Sequence, residues 1–190
     1  MQIVQCEIDR RVVEVSKQFF GSTMATSFED PRVTLLFDDA AKYIADKKNE
    51  FDVIIVDSSD PNEGPATSLF TPEFYKNLSE ALKEGGIVCT QGECMWQNMK
   101  LITEVLNKAK AYFPVVDYAY TCVPTYPSGQ IGFLVCSKSG CRTFALHPSL
   151  SSFTCVCVCV CVSTVGACRV HLSLCSPSPS PPRLCAAVYA

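Results

Sequence analysis

"FDVIIVDSSDPNEGPA", residues 51–66, sets the unbroken apolar run 53–56 in front of two carboxylates, Asp57 and Asp60, and then breaks the chain with Pro61, Gly64 and Pro65. A short aliphatic run bounded by a turn reads as a strand buried on both faces, the kind found where helices cover a parallel sheet. Similar runs recur through the first 140 residues: "IVQCEID", "RVTLLF", "GGIVCTQ", "VVDYAYTCV" and "IGFLVCS". Between them lie helical patterns. "RRVVEVSKQFF" spaces Val12, Val13 or Val15 and Phe19 or Phe20 for an amphipathic helix, and "NMKLITEVLNKAKAYF" predicts another. In "TPEFYKNLSEALKEGG", Thr71 suits the N-cap, Pro72 the first helical position and Glu73 the positive end of the dipole. Phe74, Leu78 and Leu82 form a stripe there, with Gly85 for a left-handed C-terminal position. Strands alternating with helices predict an open, mainly parallel α/β sheet. The last two runs, joined by "PTYPSGQ" with no helix between them, pair as an antiparallel hairpin.

In such a sheet the ligand crevice lies outside the carboxyl ends of the strands. Glu7 follows "IVQC", Asp39 follows "VTLLF", and Asp57 and Asp60 follow "VIIV", so four acids gather at three strand ends. Each has a plainer reading as well, since Asp9, Asp38 or Asp39 could simply cap the next helix. A carboxylate at the end of a strand in a nucleotide-binding sheet accepts hydrogen bonds from ribose hydroxyls, which fits Glu7. Asp57 and Asp60, three residues apart, would raise each other's pKa unless a cation offset them, and an amine substrate supplies that charge. Residues 1–140 contain no histidine. A general base must therefore come from Asp, Glu, Tyr, Cys or Lys, and Asp57 is the natural candidate.

Composition limits the partners. The 190 residues are 48% hydrophobic and 18% charged, with a net charge of −3, which suits a globular protein and argues against a nucleic-acid surface. The averages conceal a change near residue 140. Residues 141–190 hold no Lys, Asp or Glu, yet carry eight of the 13 cysteines and both histidines. Two low-complexity stretches stand there, "CVCVCVCV" at 155–162 and "SPSPSPP" at 176–182. The division expected is a catalytic domain over 1–139 and a tail over 140–190 that is disordered or a gene-model artefact. Cys-x-Cys spacing does not match a zinc site, and the apolar run 153–168 falls short of the ~20 residues that span a membrane. The other five cysteines, Cys6, Cys89, Cys94, Cys122 and Cys136, read as reduced thiols. With no signal-peptide pattern at the amino terminus, they suggest a cytoplasmic location.

"QCEID", "DVIIVDSSDP" with "GPA", "QGECMW" and "VPTYPSGQIGF", in this order over residues 2–138, resemble the signature blocks of the spermidine synthases. These are aminopropyltransferases with a Rossmann-like, methyltransferase-type fold. The resemblance implies transfer of the aminopropyl group of decarboxylated S-adenosylmethionine to putrescine, giving spermidine and methylthioadenosine. It implies no metal and no cofactor beyond that co-substrate. It makes Asp57 the catalytic base and places Asp60, Gln91 and Tyr126 around the amine. Glu7 would hold the ribose and Asp39 the adenine amino group, with Ala40, Pro65, Ala66 and Leu69 along the nucleoside. A homodimer is the family's usual assembly.

The departures also carry expectations. Asn62 and Glu63 put two residues between Pro61 and Gly64 where the family usually has one, and "DDA" at 38–40 replaces a Gly-Asp-Gly. No glycine-rich donor loop or first sheet strand precedes "IVQCEID", which implies a fragment whose sheet lacks its central strand and exposes two edges. On its own such a fragment is expected to be inactive. A spermine synthase or a putrescine N-methyltransferase relative is the other alternative, although "QGE" and "PTYPSGQIGF" favour spermidine synthase.

Overall fold

The computed structural model describes residues 2–59, 65–139 and 184–189. Strand β1 (Gln2–Glu7) is followed by α1 (Arg10–Phe20), β2 (Val33–Phe37), α2 (Ala40–Ala45) and β3 (Phe51–Asp57). After a 3-10 turn at Pro65–Phe70 come α3 (Pro72–Ala81), β4 (Leu82–Gln91), α4 (Met95–Lys110), β5 (Val115–Cys122), β6 (Gln130–Ser137) and β7 (Leu184–Tyr189). They form one seven-stranded sheet in the order β2-β1-β7-β3-β4-β6-β5. Strands β2, β1, β7, β3 and β4 pair in parallel, while β6 runs against both β4 and β5. The mainly parallel sheet with its terminal hairpin is the architecture that the alternation of runs predicts.

Side-chain caps start the helices where the sequence places them. Asp9 accepts the Arg11 N–H to open α1, Asp39 accepts the Ala41 N–H to open α2, and the Thr71 hydroxyl accepts the Phe74 N–H to open α3. One face of the sheet then receives α2, α3 and α4. Ile54, Val56 and Val88 meet Ile44, Leu78 and Val105 in a single core, and each fully buried aliphatic side chain there contributes about 1.5–3 kcal/mol.

Three local expectations shift. Helix α3 stops at Ala81, and Leu82, completely buried, already begins β4. Gly85 does adopt a left-handed φ of 75°, but inside β4, where the β3–β4 register shifts between Phe51 and Val53. The glycine that looks like a helix stop instead makes a bulge, because pairing of Leu82 with Phe51 claims the chain first. On α1 only Val13 is buried, while Val12 is 46% and Phe19 67% exposed. Helix α4 starts three residues before the expected Asn98, which is non-helical (φ −123°) and bends it.

Strand β7 occupies the place where the sequence reading expects an open gap beside β1. It lies between β1 and β3, parallel to both, with Gln2 opposite Leu184 and Val53 opposite Cys185. The alternating Cys/Val and Ser/Pro stretches of the tail lie outside the described residues, as does Asp60. The five cysteines expected to be reduced are free, four of them buried and Cys122 exposed.

Removing residues 184–190 should leave the backbone groups of β1 and β3 that face each other across the slot without partners. Hydrogen exchange of β1 and β3 amides should then rise at least tenfold, with β5 and β6 unchanged. Unaltered protection in β1 and β3 would show that β7 does not complete the sheet.

Candidate functional site

The site is set by strand register. In-register partners on adjacent strands share a face, and successive residues alternate. Glu7 is opposite Tyr189, and Tyr189 is opposite Asp57. Val56 is opposite Thr90, so Asp57 and Gln91, one residue further along each strand, again lie side by side. Gln91 is in turn opposite Phe133. Glu7, Asp57 and Gln91 therefore stand in one row at the carboxyl ends of the parallel strands. Cys6, Val56 and Thr90, one residue earlier, point to the helix-covered face and are buried there. With β7 between them, the backbones at Glu7 and Asp57 are two strand spacings apart, roughly 10 Å.

Asp57 is held against its solvation preference. Its Oδ2 is buried with no hydrogen-bond partner among the described residues, and burial pushes its pKa up to about 6. The Cys89 thiol lies on the same face. It is pushed up to about 12, chiefly by burial and secondly by the charge of Asp57. A carboxylate in this state attracts a cation and can take a proton near neutral pH. Glu7 is 9% exposed, and its Oε1 accepts the Asp9 N–H at 2.9 Å. That bond aims the carboxylate at the mouth of β1.

The remaining expected residues divide. Tyr126 stands in the β5–β6 turn and packs on Cys89, Ile131, Phe133 and Val135, which puts it on the face of Gln91. Asp39 is spent on capping α2, with its Oδ2 3.8 Å from Lys42 Nζ, so its plainer reading holds in this structure. Ala40, Ala66 and Leu69 are at most 3% exposed and belong to the main core, because α2 and the 3-10 turn fold back onto the helix-covered face. Their side chains back the site and offer it little surface. Pro65 begins the 3-10 turn, and Asp60 cannot be placed in the row. No helix among the described residues is long and apolar enough to cross a membrane, and no group of three His, Cys, Asp or Glu among them could hold a metal ion.

Sequence reasoning missed a strained neighbourhood beside Gln91. Glu93 and Ser128 adopt left-handed φ values of 58° and 56°, each costing on the order of 1–3 kcal/mol for a residue with a side chain. Ile8, directly after Glu7, leaves an apolar side chain 53% exposed at the strand mouth. Nothing in composition or periodicity marks Glu93 or Ser128.

The chain is similar to known proteins. Residues 1–145 match the model of the spermine/spermidine synthase domain. The chain is 48% identical over 137 residues to a spermidine synthase of Schizosaccharomyces pombe, covering 72% of this chain and 45% of that protein. It is 48% identical over 149 residues to a spermidine synthase of Coffea arabica, covering 77% and 46%. A crystal structure of spermidine synthase in complex with the transition-state analogue AdoDATO superposes with a TM-score of 0.68 at 33% identity, over 73% of this chain and 47% of that one. The spermidine synthase of Thermotoga maritima gives 0.65 at 31% identity, over 73% and 46%. The chain thus spans a little under half the length of these proteins.

Burial of Asp57 has a measurable cost. Its folded pKa of about 6 lies above the ordinary 3.8, so folding favours the protonated form; that stabilisation is complete below about pH 4 and is lost as pH rises through 6. A shift of about 2 units corresponds to at most about 3 kcal/mol, and partial solvent access lowers this to about 1–2 kcal/mol. Asp57→Asn should therefore raise the thermal midpoint at pH 7.5 and leave it nearly unchanged at pH 4. Equal midpoints at both pH values would contradict the burial of an unpaired charge.

Proposed function

The chain belongs to the spermine/spermidine synthase family, and from that premise we propose that it carries the acceptor side of an aminopropyltransferase site, acting on decarboxylated S-adenosylmethionine and putrescine. The observation that carries this reading is the row of Glu7, Asp57 and Gln91 on one face at the strand ends. Two of its members are acids, and the acid nearer the centre is desolvated. A diamine cation is the partner that such a carboxylate lacks.

In the proposed reaction the acceptor nitrogen must lose a proton before it can attack. Asp57, ionised above pH 6, draws in the ammonium form and accepts the proton. The free amine then attacks the carbon next to the sulfonium. The new C–N bond forms as the C–S bond breaks, and its electron pair neutralises sulfur in the departing methylthioadenosine. Gln91 and Tyr126 orient the amine, Tyr126 offering both a hydroxyl and a ring face to a cation. Glu7, already aimed by Asp9, accepts hydrogen bonds from the ribose. Asp60 joins Asp57 at the amine on the strength of the "DSSD" block, and Asp39 keeps a family role only if one oxygen serves the adenine while the other caps α2.

Titration calorimetry tests the reading. Putrescine should bind the chain saturably above pH 7 and weaken as pH falls through 6, where Asp57 protonates. Asp57→Asn should weaken it about tenfold, or about 1.4 kcal/mol. Release of methylthioadenosine then separates an active enzyme, in which Asp57→Asn lowers the rate by about 10²–10⁴, from an inactive part that only binds. Absence of any putrescine binding overturns the proposal.

A further inference from the structure

Gln91 ends β4 and Tyr126 stands in the β5–β6 turn, two places far apart in sequence. Four side-chain and backbone bonds fasten the segment after β4 to the β5–β6 turn and its strands, and two more brace each segment from within. The Gly92 N–H donates to the Gly132 carbonyl at 2.8 Å, carrying the β4–β6 ladder one step past Gln91. The Tyr118 hydroxyl donates to the Glu93 carbonyl at 2.8 Å, and Asn98 Nδ2 donates to Glu93 Oε2 at 3.0 Å. Trp96 Nε1 donates to Gln130 Oε1 at 2.8 Å. Cys94 Sγ lies 2.8 Å from Ser128 Oγ, and Ser128 Oγ is 2.6 Å from the Pro127 carbonyl. A carbonyl only accepts, so the Ser128 proton is committed to Pro127 and the Cys94 thiol must be the donor to Ser128.

Two features show that this fastening is specific. Tyr118, on edge strand β5, reaches Glu93 by crossing β6 over Gly132. A Cβ at Gly132 would lie 1.8 Å from the Tyr118 hydroxyl and 2.6 Å from the Glu93 carbonyl, so any side chain there would break the crossing. Of the two strained residues, Ser128 makes the Cys94–Ser128 contact and Glu93 directly precedes its partner Cys94. Strain of this kind persists only where surrounding bonds over-determine the backbone.

Resting on the acceptor reading above, we propose that Tyr118, Gly132, Cys94 and Ser128 form a clamp of positioning residues that fixes Tyr126 relative to Gln91 and thereby sets the length of diamine the site accepts. None of the four needs to touch the amine. The clamp holds the two loops at one separation, and Asp57 stands beside Gln91 in the row, so the span from Asp57 to Tyr126 is held as well. A rigid span admits one chain length well, whereas a loosened one admits neighbours almost equally.

The test compares 1,4-diaminobutane with 1,5-diaminopentane by titration calorimetry on the full chain and on Gly132→Ala, Tyr118→Phe and Ser128→Gly. Affinity for methylthioadenosine and the thermal midpoint serve as controls that general loosening would move. The unaltered chain should prefer the four-carbon diamine at least tenfold. In Gly132→Ala that preference should fall below threefold, with nucleoside affinity unchanged within twofold. Tyr118→Phe keeps the ring and loses only the bond to Glu93, so it should show a smaller loss in the same direction and decides the matter if Gly132→Ala does not fold. Ser128→Gly accepts the left-handed backbone without strain yet lacks the tether, and it should also lose preference. Variants that keep the length preference, or lose diamine and nucleoside affinity together, overturn the clamp and leave the acceptor reading standing. An unaltered chain that binds neither diamine overturns both.

Discussion

Strand register is the constraint on which the site depends. Side chains alternate between faces with a period of two, so the pairings that put Cys6, Val56 and Thr90 into the core also put Glu7, Asp57 and Gln91 together on the opposite face. A slip of one residue on any of these strands would turn a carboxylate or amide towards Ile44, Leu78 and Val105 and bring Cys6, Val56 or Thr90 out of the core. The core thus enforces the chemistry. Each aliphatic contact that resists the slip also holds an acid or amide in its place in the row.

The site that results is not at ease. Asp57 carries a buried oxygen with no partner among the described residues, and Glu93 and Ser128 sit in backbone conformations that favour glycine. These costs fall at the ends of β3 and β4 and in the β5–β6 turn. The helix-covered face shows the contrary pattern, with Phe51, Ile54, Leu78 and Leu82 essentially without exposure. Stability is gathered on the helix-covered face, and the strained and desolvated groups lie at the strand ends.

Much of this was legible from residue types and spacing. The apolar runs gave the strands because burial on both faces leaves no polar alternation, and Asp9, Asp39 and Thr71 gave the helix starts because each offers an oxygen to an orphan N–H. Glu7 and Asp57 could be placed at the carboxyl ends of parallel strands from the apolar runs before them alone. What could not be read was any property set by pairing between distant segments. Gly85 resembled a helix stop until the pairing of Leu82 with Phe51 turned it into a bulge. The burial of Ala40, Ala66 and Leu69 follows from α2 and the 3-10 turn folding back onto the helix-covered face. The bond from Tyr118 to Glu93 depends on a glycine fourteen residues beyond Tyr118 and on a loop from another strand, which no local pattern encodes.

Strand β7 lies in the middle of the sheet, yet its partner residues are among the most distant in the chain: Gln2 is opposite Leu184. Closing so long a loop must wait until shorter-range structure has formed, since its entropic cost precedes any reward from pairing. The β3–β4 and β5–β6 pairs, built from nearby segments, can assemble early, and for an interval β1 and β3 face each other across an open slot. The two acids at the ends of those strands therefore come into their final relation only once that strand has docked between them.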